Sequence, residues 1–96
     1  MIRVSVMYPK GGTFNFDYYK TKHMDLAHKL LDPFGLVHSE VNKGVGDSPY
    51  MAVGHLVFKA VEDMQRGLQA HDPELAADLV HFTNVQPQFQ ISEILD

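Results

Sequence analysis

Cysteine is absent from these 96 residues. That absence excludes disulfides, thiolate nucleophiles and cysteine-based zinc sites together. Basic residues are few and scattered: eight Lys and Arg against twelve acids leave a net charge of −4. Nucleic acids are held by clusters of such side chains, so none is expected as a partner. No apolar run reaches the roughly 20 residues that a membrane span requires, and the opening "MIRVSVMYP" is too short and interrupted for a signal peptide. The expectation is a cytoplasmic protein without membrane contact. The six histidines lack ligand spacing, since His28 follows His23 by five positions and not four, which places them on different helix faces. There is no phosphate loop or nucleophile elbow either, because the "GVG" at 44–46 lies between two expected strands and reads as a turn. Neither a metal nor a cofactor is expected.

What is present is ordinary for a globular chain, 45% hydrophobic and 21% charged, and the length fits one domain over residues 1–96. A chain this small buries only about 60–65% of its unfolded surface, and pairing with a second copy is a common remedy. "MIRVSVMY" alternates with period two and predicts a strand that "PKGG" ends. Phe16, Tyr19, His23, Leu26, Ala27 and Leu30 then recur at steps of three and four, the spacing of one helical stripe. Asn15 or Asp17 can cap its start, and "DPFG" at 32–35 breaks it. "LVHSEVNK" predicts a second strand and "YMAVGHLVF" a third, apolar on both faces as in a central strand. A second helical region is expected in two pieces, "AVEDMQRGLQA" and "DPELAADLV", with Asp72 capping the second and Pro73 at its first position. "VQPQFQISEIL" alternates again and, with its proline, predicts an edge strand.

The order strand, helix, strand, strand, helix, strand predicts an α+β ferredoxin-like βαββαβ sandwich, with both helices on one face of a four-stranded antiparallel sheet. By parity Ile2, Val4, Val6, Val37, Val41, Ala52, Leu56, Phe89 and Ile91 turn to the helices. The other face is mixed: Arg3, Ser5, Met7, His38, Glu40, Met51, Val53, His55, Val57 and a row of glutamines that includes Gln90. An apolar floor with few polar groups is how small-molecule sites are built. Monomers rarely expose such patches, so a second copy covering this face, with a partly polar cavity between the two, is the expected arrangement.

"MIRVSVMYP", "FDYYKTKHM" at 16–24, "VGHLVF" at 53–58 and "FTNVQPQFQISEI" at 82–94 stand in an order that resembles the EthD family, small proteins named for ethyl tert-butyl ether degradation. The resemblance covers nearly the whole chain. It implies a ferredoxin-like protomer that packs sheet to sheet into a dimeric α/β barrel, and related barrels include lactone isomerases, polyketide cyclases, cofactor-free monooxygenases and haem proteins, with haem use here a distant third reading. It narrows the fold far more than the reaction.

Two histidines emerge as candidate acid–base groups. His55 sits mid-strand on the mixed face, where its imidazole can move a proton or bind a ligand; its plain alternative is a histidine satisfied at the interface. His23 lies on the helix stripe toward the sheet, which favours a core role, but its place in "YYKTKHM" raises its standing. Tyr19, four positions before it, can touch its ring. Around them Tyr19, Arg3, Asn84, Met51, Val53 and Gln90 are the expected substrate contacts. The functional expectation is a homodimer binding a small, partly apolar compound, with histidine-driven isomerase, cyclase or oxygenase-type chemistry. The alternative is a non-catalytic binding or accessory protein of a catabolic pathway.

Overall fold

A computed structural model describes residues 1–95. Strand β1 (Ile2–Pro9) leads to a first helix, α1, then strands β2 (Leu36–Lys43) and β3 (Tyr50–Phe58), helix α2 (Val61–Ala77) and strand β4 (Gln88–Glu93). The sheet has four strands in the order β2-β3-β1-β4, and every neighbouring pair is antiparallel. This is the α+β ferredoxin-like arrangement that the sequence predicts, with β3 inside the sheet and β4 at its edge.

Helix α1 changes step along its length. It is α-helical over Phe16–Tyr18, π-helical over Tyr19–His23 and α-helical again over Met24–Leu31. Asn15 caps it, its side-chain oxygen accepting from the Tyr18 N–H at 3.1 Å. The Thr21 hydroxyl donates to the Asp17 carbonyl, giving that carbonyl a partner where the backbone ladder is interrupted. The wider turn moves the apolar stripe. The buried residues are Tyr19, His23, Met24, Ala27 and Leu31, so Met24 and Leu31 take the places that uniform α-helical spacing gives to Leu26 and Leu30. After a short 3₁₀ turn at Asp32–Phe34, Gly35 takes φ +88° and ends the segment, a conformation open to glycine at little cost.

Two further expectations are corrected. Helix α2 is continuous, with Pro73 inside it and not at the start of a second piece; proline's φ suits a helix, but its N–H bond to the Gln69 carbonyl is missing and its ring crowds that carbonyl. In β2 the register slips between Leu36 and His38, so Val37 is the extra residue of a bulge. Leu36 is buried beneath the helices in its place, and Val37 is exposed.

Between sheet and helices lies an aromatic cluster. Tyr8, Phe14, Tyr19 and Phe82 meet mostly edge to face, with ring centroids 4.9–5.8 Å apart. Such pairs contribute about 0.5–1.5 kcal/mol each beyond the area they bury. Gly54 makes room for it: a Cβ there would collide with the Tyr19 hydroxyl.

Candidate active site

The aromatic cluster closes one end of a cavity of about 770 Å³ between the sheet and α2. Its floor is the helix-facing row Val4, Val6 and Leu56, α2 contributes Leu68 and Leu75, and the 3₁₀ turn after α2 contributes Leu79. Phe89 and Ile91 of β4 also line it and remain 63% and 56% exposed, so the cavity is open along the edge strand. The volume falls within the range of small-molecule sites.

His23 stands in the wall of this cavity, only 8% exposed. Its ring stacks on Tyr19 at 5.2 Å with 14° between the planes and tilts against Phe82 at 4.7 Å. The π-turn is what presents Tyr19 and His23 at its two ends. His23 Nδ1 lies 2.8 Å from Asp78 Oδ2, and the Tyr18 hydroxyl donates to Asp78 Oδ1, also at 2.8 Å. Asp78 opens the short 3₁₀ turn Asp78–His81 that follows α2. The carboxylate thus joins two residues of α1 from across the fold.

The electrostatics follow from this geometry. Burial lowers the His23 pKa below 6.5, although its bond to Asp78 pulls the other way. Burial alone would raise the Asp78 carboxyl, but bonds from His23 and Tyr18 and the nearby charges of His23 and His81 outweigh it and hold the group below 3.8. The bond to Asp78 raises the Tyr18 phenol. With an ionised acceptor at Nδ1, that nitrogen carries the imidazole proton of neutral His23. Nε2 has no hydrogen-bond partner among the described residues, and no buried side-chain nitrogen or oxygen there lacks one. Nε2 therefore keeps accessible surface, on a side chain that lines the cavity, and is an acceptor. A histidine oriented by a carboxylate, with its second nitrogen free, is the arrangement of a general base.

Tyr19 is core and cavity wall at once. Burial, with Tyr8 nearby, raises its hydroxyl far out of the range of acid–base use. Tyr8 is itself pushed up by burial to about 12, tempered by a hydrogen bond with Tyr19.

The other expected residues lie elsewhere. Arg3, Met51, Val53, His55 and Gln90 are on the open face of the sheet, away from this cavity. There Ser5 sits between His55 on one neighbouring strand and Gln90 on the other, and Glu40 faces His55 from β2. His55 Nδ1 shares a hydrogen bond of 3.0 Å with Ser5 Oγ. Burial and then the Arg3 charge lower its pKa, with Glu40 opposing. Asn84 belongs to a smaller pocket of about 350 Å³ beside the loop after β1. Its side-chain oxygen accepts from the Thr13 N–H at 2.9 Å, which ties that loop to the approach to β4.

Sequence reasoning expected the cavity on the open face. The cavity of about 770 Å³ described above is on the helix side of a single copy. Parity sorted the strands correctly, but it cannot show that the helices stand clear of β4. Asp78 and Tyr18 were missed as partners of His23. The available signal was a lone carboxylate in the apolar run "LAADLVHF".

Fold and cavity together define the class: an α+β ferredoxin-like protein with an apolar cavity open along its edge strand. No family model matches the chain, and no curated protein matches it either. Among solved structures, an EthD-like protein from Ralstonia eutropha JMP134 is 27% identical, with a TM-score of 0.90, over 99% of this chain and 92% of that one. An ethyl tert-butyl ether degradation (EthD) family protein from Bacillus halodurans C-125 is 19% identical, with a TM-score of 0.77, over 99% of both chains. A dimeric ferredoxin-like protein from an uncultured marine organism, 12% identical, has a TM-score of 0.61 over 100% of this chain and 96% of that one. The chain is thus similar in fold, over nearly its whole length, to these two EthD-type structures.

Proposed function

We propose that the cavity beneath α2 binds a small, partly apolar organic compound and that His23 acts there as a general base. The observation that carries this reading is the Tyr18–Asp78–His23 chain of hydrogen bonds ending at the cavity wall. Neutral His23 takes a proton through Nε2 from a carbon beside a carbonyl or lactone group. Asp78, already bound to Nδ1–H, stabilises the imidazolium that forms. Return of the proton to a second atom of the compound gives an isomerised product and restores the neutral histidine. No redox partner is consumed, and the low pKa of His23 keeps it ready to accept a proton near neutrality.

The protein acts as a homodimer in this reading. Met7, Met51, Val53 and Val57 leave an apolar band on the open face, and the relation to a protein described as dimeric supports a second copy there. His55 would then be an interface residue.

Thermal-shift screening against lactones, ketones and ethers, with mass analysis of each hit, tests the function. Compounds that stabilise the chain and return with altered structure support catalysis, and His23→Ala and Asp78→Asn should then lower turnover by about 10²–10⁴-fold with the fold intact. Stabilisation with every compound unchanged points instead to a carrier or accessory role. Full turnover in His23→Ala would overturn the assignment of the base.

A further inference from the structure

We propose that the cavity selects an uncharged compound that presents a hydroxyl donor, phenol-like in type, to Nε2 of His23, and that it rejects the matching carboxylate. This rests on the reading of the cavity as a small-molecule site, the hydroxyl at Nε2 corresponding to the enol form of the carbonyl compound that His23 deprotonates.

The donor preference follows from the tautomer. Asp78 accepts on both oxygens, from the Tyr18 hydroxyl and from His23 Nδ1–H. A neutral imidazole has one N–H, and it is committed to Asp78. Nε2 therefore meets the cavity with a lone pair. A hydroxyl can donate to it; an ether or carbonyl oxygen at the same point sets lone pair against lone pair.

The rejection of anions follows from the lining. Among the described residues no Lys or Arg lines the cavity, and the exposed Asp72 is part of its lining. Asp78 lies directly behind His23. The nearby Lys22 ammonium stays outside, 5.7 Å from the centre of the Tyr18 ring. A carboxylate entering between Leu56, Leu68 and Ile91 would lose its hydration and find no counter-charge. Protonating His23 would supply one and reverse the preference, but burial opposes that protonation. Gln69 and Gln86 add neutral amides at the rim, which can bind a second polar group on the same compound.

Three probes of one shape separate the effects: 2-naphthol, 2-methoxynaphthalene and 2-naphthoate. Binding is read from the methyl resonances of Leu68, Leu75 and Ile91 at slightly alkaline pH. The expected result is that 2-naphthol binds about tenfold or more tightly than either of the others, the worth of one well-placed hydrogen bond. His23→Phe should bring 2-naphthol down to the level of the ether, and the methyl spectrum reports whether that variant is folded. The ¹⁵N spectrum of the unaltered chain needs no substitution: Nε2 should show the signature of an unprotonated ring nitrogen. A proton on Nε2, an equally bound ether or an equally bound carboxylate overturns the selectivity while leaving a functioning cavity. If none of the three probes moves the cavity methyls, the small-molecule reading falls, and this inference with it.

Discussion

His23 is held between opposing effects. Burial among aromatic rings favours its neutral form, and the Asp78 carboxylate favours its charged one, with burial prevailing. A histidine whose folded pKa lies below 6.5 binds its proton more readily when unfolded. Its contribution to stability is complete above that value and is lost as pH falls toward the folded pKa. Asp78, held below 3.8, acts in the same direction further down, its stabilisation fading as pH drops through its folded pKa. Urea unfolding across the range from neutral to mildly acidic pH should therefore show falling stability. The upper part of that fall should be smaller in His23→Phe, and an unchanged profile would refute the linkage. Tyr18→Phe probes the pair differently. Without the phenol donor the Asp78 carboxylate becomes more basic and holds the His23 proton more tightly. The imidazole titration followed by NMR should move upward, an effect that loss of packing alone would not produce.

At the scale of elements, helix α2 carries a proline where an alanine would add a backbone hydrogen bond. Pro73→Ala should stabilise the chain by about 1–2 kcal/mol, less than the full propensity difference because proline also restricts the unfolded chain. Urea midpoints with an unchanged slope would show it. The same proline marks where sequence reading goes astray: Asp72-Pro73 has the form of a helix start, and only the packing of Leu68 and Leu75, one on each side of it, along one cavity wall shows the helix running through. Period-two patterning made all the strands legible, apart from the bulge at Val37, because alternation reports directly on which face is buried. The π-turn was not legible, since Tyr19 and His23 fit a uniform α-helical stripe equally well and the discrepancy shows only at Met24 and Leu31. His23 and Tyr19 were found from their place on the stripe. Asp78, fifty-five positions from His23, could be joined to it only by the fold.

The whole molecule uses the two faces of one sheet differently. The helix side holds the cavity, and the open side holds a polar row, Glu40–His55–Ser5–Gln90, beside an apolar band in which Val57 is only 5% exposed. Light scattering on the purified chain should give twice the protomer mass at micromolar concentration. Val53→Glu, placed in the band, should give the single mass while leaving the fold and the cavity methyls undisturbed. A strictly monomeric unaltered chain would remove the second copy from the proposal. Among the described residues no helix is long and apolar enough to cross a membrane, and the exposed Phe89 and Ile91 line the cavity at the edge strand.

The π-turn at Tyr19–His23 also bears on how this chain is compared with others. One extra residue is accommodated within the helix, so the caps at Asn15 and Gly35 need not move. A relative whose first helix is α-helical throughout would be one residue shorter between those caps. An alignment that puts its gap in the neighbouring loop would then shift every position of the helix by one and set His23 against Lys22 or Met24. The histidine would look dispensable in such relatives. Placing the gap inside the turn restores the correspondence, and the residue to compare is the one whose ring nitrogen reaches the carboxylate after the second helix.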